Sequence, residues 1–265
     1  MIKLFKPAIL HEVGGREHNE DAVYPSKPQE NNKIFLVCDG VGGQKKGEVA
    51  SSLICKYFPD YFKQKDAAHI GNDFLEEGLR YVEGLLHTYI NEYPECSGMA
   101  STLTILLLLP DSNKVVFGWV GDSRIYHIRD GAVLYQTKDH SEVQSLIDMG
   151  EISQEEAASH PRKNVITRAV NGRREARLDQ KIIETIEPND FFLLCTDGIL
   201  EHLGAKEIKD WFKESATPEA IKTLVYENAK GRTKDNFSMY LLKVKEIQTL
   251  GYKHKLQSVL KKLGI

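Results

Sequence analysis

Two short apolar runs in this chain end in the same way. Ile34-Phe35-Leu36-Val37-Cys38 is followed by Asp39-Gly40-Val41-Gly42-Gly43, and Phe191-Phe192-Leu193-Leu194-Cys195 leads through Thr196 to Asp197-Gly198. A five-residue run with no polar member reads as a strand buried on both faces. A carboxylate at its exit is held stiffly at the sheet edge, and glycines beside it let the backbone approach a ligand closely. Asp235, followed by Asn236 and the alternating run 237–244, is a third acid in such a place, and Asp122 in Gly121-Asp122-Ser123-Arg124 a fourth. One Asp-Gly after a strand is ordinarily a turn. Three strand-edge aspartates together suggest hard divalent cations, which prefer carboxylate, carbonyl and water oxygens; with few His or Cys clusters on offer, magnesium or manganese fits better than zinc.

Further runs at 101–109, 115–120, 125–128 and 132–136 read as strands, and Asp111-Ser112-Asn113 and Arg129-Asp130-Gly131 as the turns of antiparallel hairpins. Helical spacing of apolar residues appears over 47–63 and 74–93. Ser153 with Glu156 fits a capping box, and Thr217-Pro218 an N-cap with proline in the first turn. Helices and hairpins alternating in groups bury all these faces as an α+β architecture: a β-sandwich of two antiparallel sheets flanked by helices, in four layers, αββα. Residues 1–245 are expected to form one domain and 246–265 a C-terminal tail.

At 265 residues with 41% hydrophobic and 28% charged residues, the chain is an ordinary folded domain rather than a disordered one. A net charge of −3 argues against a nucleic-acid binder, whose affinity needs clustered Lys and Arg. The longest apolar run, 103–109, is far short of the roughly 20 residues that span a bilayer, and the first residues lack a secretory apolar core, so a cytoplasmic protein is expected. Cys38, Cys55, Cys96 and Cys195 form no C-x-x-C pair and are read as reduced, with Cys38 and Cys195 inside strands. No Cys-x5-Arg loop is present, and Ser123 lacks a nucleophile elbow.

Taken in order, eight segments resemble the bacterial form of the type 2C metal-dependent Ser/Thr protein phosphatases, the PPM family. They are Arg16-x-x-Asn19-Glu20-Asp21; Asp39-Gly40-Val41-Gly42-Gly43 with Gly47-Glu48 and Ala50-Ser51; Ser101-Thr102-Leu103; Gly121-Asp122-Ser123-Arg124; Asp139-His140-Ser141; Ile166-Thr167-Arg168-Ala169; Leu194-Cys195-Thr196-Asp197-Gly198; and Asp235-Asn236. The resemblance implies the β-sandwich already inferred and the hydrolysis of phosphoserine and phosphothreonine in proteins, reversing Ser/Thr kinases. It makes Asp39 the ligand bridging two metals (Mn2+ or Mg2+), with the Gly40 carbonyl on one of them and Asp197 and Asp235 on the other. Glu20 and Asp21 would organise the second metal largely through water, Asp122 a third metal, and Arg16 the substrate phosphate. Residues 139–167 match the family's variable flap.

This donor set suits the reaction. Two metals roughly 3.5 to 4 Å apart can turn a bridging water into hydroxide near neutral pH and neutralise the phosphoryl oxygens. Direct attack without a phosphoenzyme is expected, and a forked guanidinium fits phosphate better than a lysine would. The chain departs from the family at Val41, where animal members commonly carry a histidine, and at Ala100, where glycine is common; neither is a metal ligand. His140 reads as a hydrogen-bonded flap residue.

Leu256, Val259, Leu260 and Leu263 fall on one face of a C-terminal helix, beside Lys253, Lys255, Lys261 and Lys262 and no acid; packing on its own domain is the expected role. Expected partners are phosphorylated proteins, among them a Ser/Thr kinase or its substrates, for a monomer. A catalytically silent phosphoprotein-binding module of the same fold is the alternative, and retention of Asp39, Asp197 and Asp235 favours the enzyme.

Overall fold

The computed structural model describes residues 1–41, 46–65, 73–109 and 112–248. The tail helix, Gly42-Gly43 and Asp111 of the expected turn lie outside the described residues. Among the described residues eleven strands succeed one another as β1 (Ile2–Leu4), β2 (Ala8–Glu12), β3 (Ala22–Tyr24), β4 (Ile34–Cys38), β5 (Leu103–Leu108), β6 (Val115–Val120), β7 (Arg124–Arg129), β8 (Ala132–Gln136), β9 (Asp179–Ile183), β10 (Phe191–Cys195) and β11 (Phe237–Ile247). Helices α1 (Gly47–Gln64) and α2 (Phe74–Glu92) sit between β4 and β5. Helices α3 (Glu142–Asp148) and α4 (Gln154–Ser159) lie between β8 and β9, and α5 (Asp197–Leu200), α6 (Ala205–Trp211) and α7 (Pro218–Ala229) between β10 and β11.

All pairings are antiparallel. One sheet has the order β1-β11-β10-β7-β8 with β2 also on β11, and the other β3-β4-β5-β6-β9. The apolar runs are buried on both sides because each sheet has two covered faces. Phe35, Val37, Leu106, Phe117, Phe192, Leu194, Tyr240 and Leu242 fill the space between the sheets. Their strand neighbours Leu36, Ile105 and Leu107 face α1 and α2, while Phe191, Leu193 and Leu241 face α5, α6 and α7. The side-chain period of two along a strand produces this division, and the four layers are its result.

Several local expectations are met in detail. Asp130 (φ 45°) and Gly131 (φ 81°) occupy the left-handed region at the β7–β8 hairpin, as a tight two-residue turn requires. Ser153 and Glu156 form both bonds of a capping box, and the Thr217 hydroxyl accepts the Ala220 N–H at the start of α7. Other boundaries differ. The run expected from 101 enters the sheet at Leu103, because Ser101 leaves the ladder to bridge Gly40 and Val170. Strand β11 passes the boundary expected at 245, since β1 pairs with it through Ile2 opposite Ile247. Among the described residues, no helix is long and apolar enough to cross a membrane.

Candidate active site

Strands from both sheets deliver their exits to one end of the sandwich. There Arg16, Glu20, Asp39, Gly40, Val41, Thr102, Asp122, Asn164, Ile166, Asp197, Asp235 and Asn236 line a cavity of about 270 Å3. Asp39 leaves β4 and is fixed by its backbone: its N–H donates to Thr102 Oγ1 (2.9 Å), and its carbonyl accepts from Thr102 N (2.8 Å) and Ser101 Oγ (2.8 Å). Thr102 Oγ1 in turn meets Ser123 Oγ at 2.7 Å, all of it buried. Ser123 therefore helps to hold the Asp39 turn and is no exposed nucleophile. Gly40 packs back-to-back on Gly47 at the start of α1, where a Cβ would stand 2.4 Å from the Gly47 carbonyl carbon, so only glycine lets the helix start so close to the strand exit.

Asp197 opens α5 behind its N-cap Thr196, and its Oδ1 is buried without a hydrogen-bond partner. Asp235 precedes β11 and accepts Asn236 N–H on Oδ1 (2.8 Å) and Arg16 Nη2 on Oδ2 (2.9 Å). Asn236 ties the N-terminal loop to this corner. Its Oδ1 accepts the Glu20 N–H (2.9 Å), and its Nδ2 donates to the carbonyls of Val13 (2.7 Å) and His18 (2.9 Å). Asp122 stands in the β6–β7 turn, made possible by Gly121 at φ 101°. Asp21 is not on the cavity wall: it is 5% exposed, accepts from Thr196 Oγ1 at 3.1 Å, and leaves Oδ1 unpartnered.

The electrostatics are those of crowded anions. Burial, then Asp21, Asp197, Asp122 and Asp235, pushes Asp39 well above the ordinary aspartate range. Burial and then Asp197 and Asp139 raise Asp122 to about 7, against weaker help from its own N–H and Arg124. Asp21 is raised by burial to about 7 despite hydrogen bonds from Ser238 and Thr196. Asp197 is raised by burial and Asp235, offset in part by a hydrogen bond from Asp39, and Glu20 by burial and Glu48. Among the described residues no three such groups close up as a finished ligand set; they surround an open cavity instead. Oxygen donors that repel one another and an unpartnered buried carboxylate oxygen fit hard divalent cations, whose charge would return these acids to their ionised form.

The flap is clamped at its base. Ser141 bridges Ile166, Glu142 N donates to Val165 O (2.9 Å) and Thr167 N to His140 O (2.7 Å). Between the clamps, α3 and α4 form a lobe from which Asn164 and Ile166 reach the cavity. His140 is an anchor: Nδ1 accepts the Gly121 N–H (3.1 Å), Nε2 meets Arg168 and Asp179, and the ring stacks on Trp119. Arg124 grips Asp139 with two bonds of 2.7 Å.

The structure thus brings Arg16, Glu20, Asp39, Gly40, Asp122, Asp197 and Asp235 to one cavity and sets Asp21 just outside it. Sequence reasoning assigns no role to Asn164 or Thr102, and none to the side chain of Asn236. The Asp235-Asn236 and Ser101-Thr102-Leu103 segments are the signals for Asn236 and Thr102; Asn164 carries none of its own.

Comparison with known proteins accords with this geometry. Residues 11–228 match the family described as protein phosphatase 2C. The chain is 30% identical over 232 residues to the serine/threonine phosphatase stp of Listeria welshimeri, covering 86% of this chain and 90% of the relative. Its fold is similar to the crystal structure of the Mycobacterium tuberculosis serine/threonine phosphatase PstP/Ppp (TM-score 0.77, 29% identity, 92% of this chain and 100% of that one). It is similar also to the catalytic domain of the serine threonine protein phosphatase PstP in complex with two manganese ions (TM-score 0.70, 26% identity, 93% and 100%).

Proposed function

Because the chain belongs to the protein phosphatase 2C family and is a serine/threonine protein phosphatase, we propose that its reaction runs in the acidic cavity at the end of the sandwich. Asp39, the Gly40 carbonyl, Asp197 and Asp235 are the residues to hold two divalent cations, manganese or magnesium, with Glu20 and Asp21 behind them and Asp122 available to a third. The observation that carries this reading is the meeting of Asp39, Asp197 and Asp235, from three separate strand ends, around one cavity with Arg16 at its edge. When bound, such cations supply an acidified water and positive charge against the phosphoryl oxygens.

The chain's own residues do the rest. Thr102, Ser101 and Ser123 keep the Asp39 backbone from moving. Arg16 gives one nitrogen to Asp235 and has further N–H donors for a phosphate oxygen. Val41 faces the cavity and offers no proton, so it is not the general acid for the departing serine or threonine oxygen. Asn164 and Ile166 of the flap border the place where the peptide enters.

The substrates in this reading are phosphorylated proteins, and a Ser/Thr kinase or its targets are the natural partners of a monomeric cytoplasmic enzyme. In this reading residues 1–245 are the catalytic domain, and β11 closes it. Hydrolysis of a phosphothreonine peptide, measured after exhaustive chelation and again with Mn2+ restored, tests the site: activity that returns with the metal and is lost in Asp39→Asn supports it, and full turnover after chelation overturns it.

A further inference from the structure

A second, larger cavity of about 840 Å3 lies elsewhere on the molecule and shares no lining residue with the acidic one. Phe5, Pro7 and Ile9 at the β1–β2 junction, Pro28 after β3 and Pro218 at the head of α7 give it apolar walls. Lys243 of β11 also lines it and is only 5% exposed. Its Nζ donates to the carbonyls of Glu214 (2.6 Å) and Ala216 (2.8 Å) and lies over the rings of Phe5 and Phe191, at 5.3 and 5.2 Å.

An ammonium has three donors, and these two carbonyls use two of them. Neutral oxygens and ring faces steady the charge without cancelling it, and a buried ion with no paired counter-charge is costly. Among the charged side chains facing it, Glu214 acts from its own turn, and burial still pushes the Lys243 ammonium below the ordinary lysine range. Lys6 and Lys27 stand exposed at the mouth, while Glu219, the one acid in the wall among the described residues, is paired with Lys222. The N-terminal end of α7 adds its positive partial charge to the same wall.

We propose that this cavity binds a small amphipathic monoanion, an apolar body ending in a carboxylate, with the carboxylate on Lys243 and the body against the phenylalanine and proline walls. The volume falls within the range of small-molecule sites, which combine apolar lining with a few convergent polar groups. A cation in the wall that is only 5% exposed is met by a ligand that enters rather than by one that lies across the rim. A monoanion costs less to desolvate beside it than a dianionic phosphate. The basic residues Lys253, Lys255, Lys261 and Lys262 of the C-terminal segment make it a poor occupant of a lysine-rimmed cavity.

Isothermal titration of the full chain with decanoate, 1-decanol and acetate tests this. The expected result is saturable one-to-one binding of decanoate, and at least tenfold weaker binding of decanol, which lacks the charge, and of acetate, which lacks the body. A Lys6→Glu/Lys27→Glu double variant, altered only at exposed side chains, should weaken decanoate at least tenfold at unchanged phosphatase activity, and Lys243→Met should weaken it further. Equal binding of decanol, or decanoate binding untouched by the double variant, overturns the proposal. So does decanoate binding that appears only after residues 249–265 are removed, since the segment itself is then the occupant. Should Lys243→Met fail to fold, the double variant decides alone.

Discussion

Arg16 and Asp235, 219 positions apart in the chain, are joined by a 2.9 Å bond from Nη2 to Oδ2. The arginine proposed for the substrate phosphate is thus also the neighbour of an acid proposed to hold metal. Its guanidinium is raised above the ordinary arginine value by the hydrogen bond and charge of Asp235, with smaller help from Glu20 and Asp197.

Replacement of Arg16 by Ala should therefore have two effects. Loss of a charge-assisted bond to the phosphate lowers kcat/KM about tenfold to a hundredfold, for phosphopeptide and small phosphate esters alike. Loss of the neighbouring positive charge tightens Mn2+ binding, by about two- to fivefold given how exposed the ion pair is. Arg16→Lys should fall between wild type and Ala, because it keeps the charge and loses the fork. Steady-state kinetics and metal titration on the three proteins check this; unchanged kinetics would move Arg16 out of the phosphate site.

Asp39→Asn should be worse for activity than any other single change in the cavity. Asp122→Asn, at its edge, should cost about tenfold to a hundredfold, and Asp39→Asn more than that. The same substitution removes the acid most crowded by other acids, so the metal-free protein should melt higher than wild type at pH 7.5, while the extra stability that Mn2+ confers should vanish. Melting curves with and without Mn2+ decide it; equal losses for the two variants would refute the bridging role.

Glu83, 8% exposed on α2, accepts the Ala176 N–H at 2.8 Å. Burial, against that hydrogen bond, lifts its carboxyl to about 7 from 4.5. The folded chain then holds a proton that the unfolded chain releases, so this group's contribution is present below about pH 4.5 and is lost as pH rises toward 7. The loss is at most about 3 kcal/mol. Glu83→Gln should flatten the decline, with little effect at pH 4.5 and stabilisation at pH 8, as urea denaturation at the two values will show.

Asp190 has the opposite sign. It is fully buried, and burial alone would raise it, yet Arg129 through two bonds (2.6 and 2.9 Å), His127 (2.8 Å) and the Glu187 N–H hold it below the ordinary aspartate value. Its stabilisation is present above about pH 4 and is lost as pH falls further, through the folded value. Asp190→Ala strands His127, while Arg129 keeps Glu187 and the Thr185 carbonyl, and should cost about 3 kcal/mol at pH 7. An undiminished midpoint in urea would show that water replaces the carboxylate.

The parts of the fold legible in the sequence are those dominated by burial. Strands β4 and β10 announce themselves because each is apolar throughout, and β8 because of its turn. β9 escapes such a reading: Asp179-Gln180-Lys181 carry no apolar signal, and the segment is a strand because β6 offers it an edge. β1 and β3 are three residues each and exist only through their partners β11 and β4. In the site, the acids can be read because a carboxylate at a strand exit is a local pattern. Thr102 beneath Asp39 and Thr196 against Asp21 cannot, because those contacts close across 63 and 175 positions.

The clamp under the flap carries a lesson about exchange. With Ser141 bridged to Ile166 and His140 bonded to Thr167, the chain enters and leaves the lobe at one place, and the sandwich receives the same two ends whatever lies between them. Length and composition between positions 142 and 165 are therefore free to drift, or to be swapped as a cassette, without any strand changing register. Selection for a new phosphoprotein can act on that lobe while the acids behind it stay as they are.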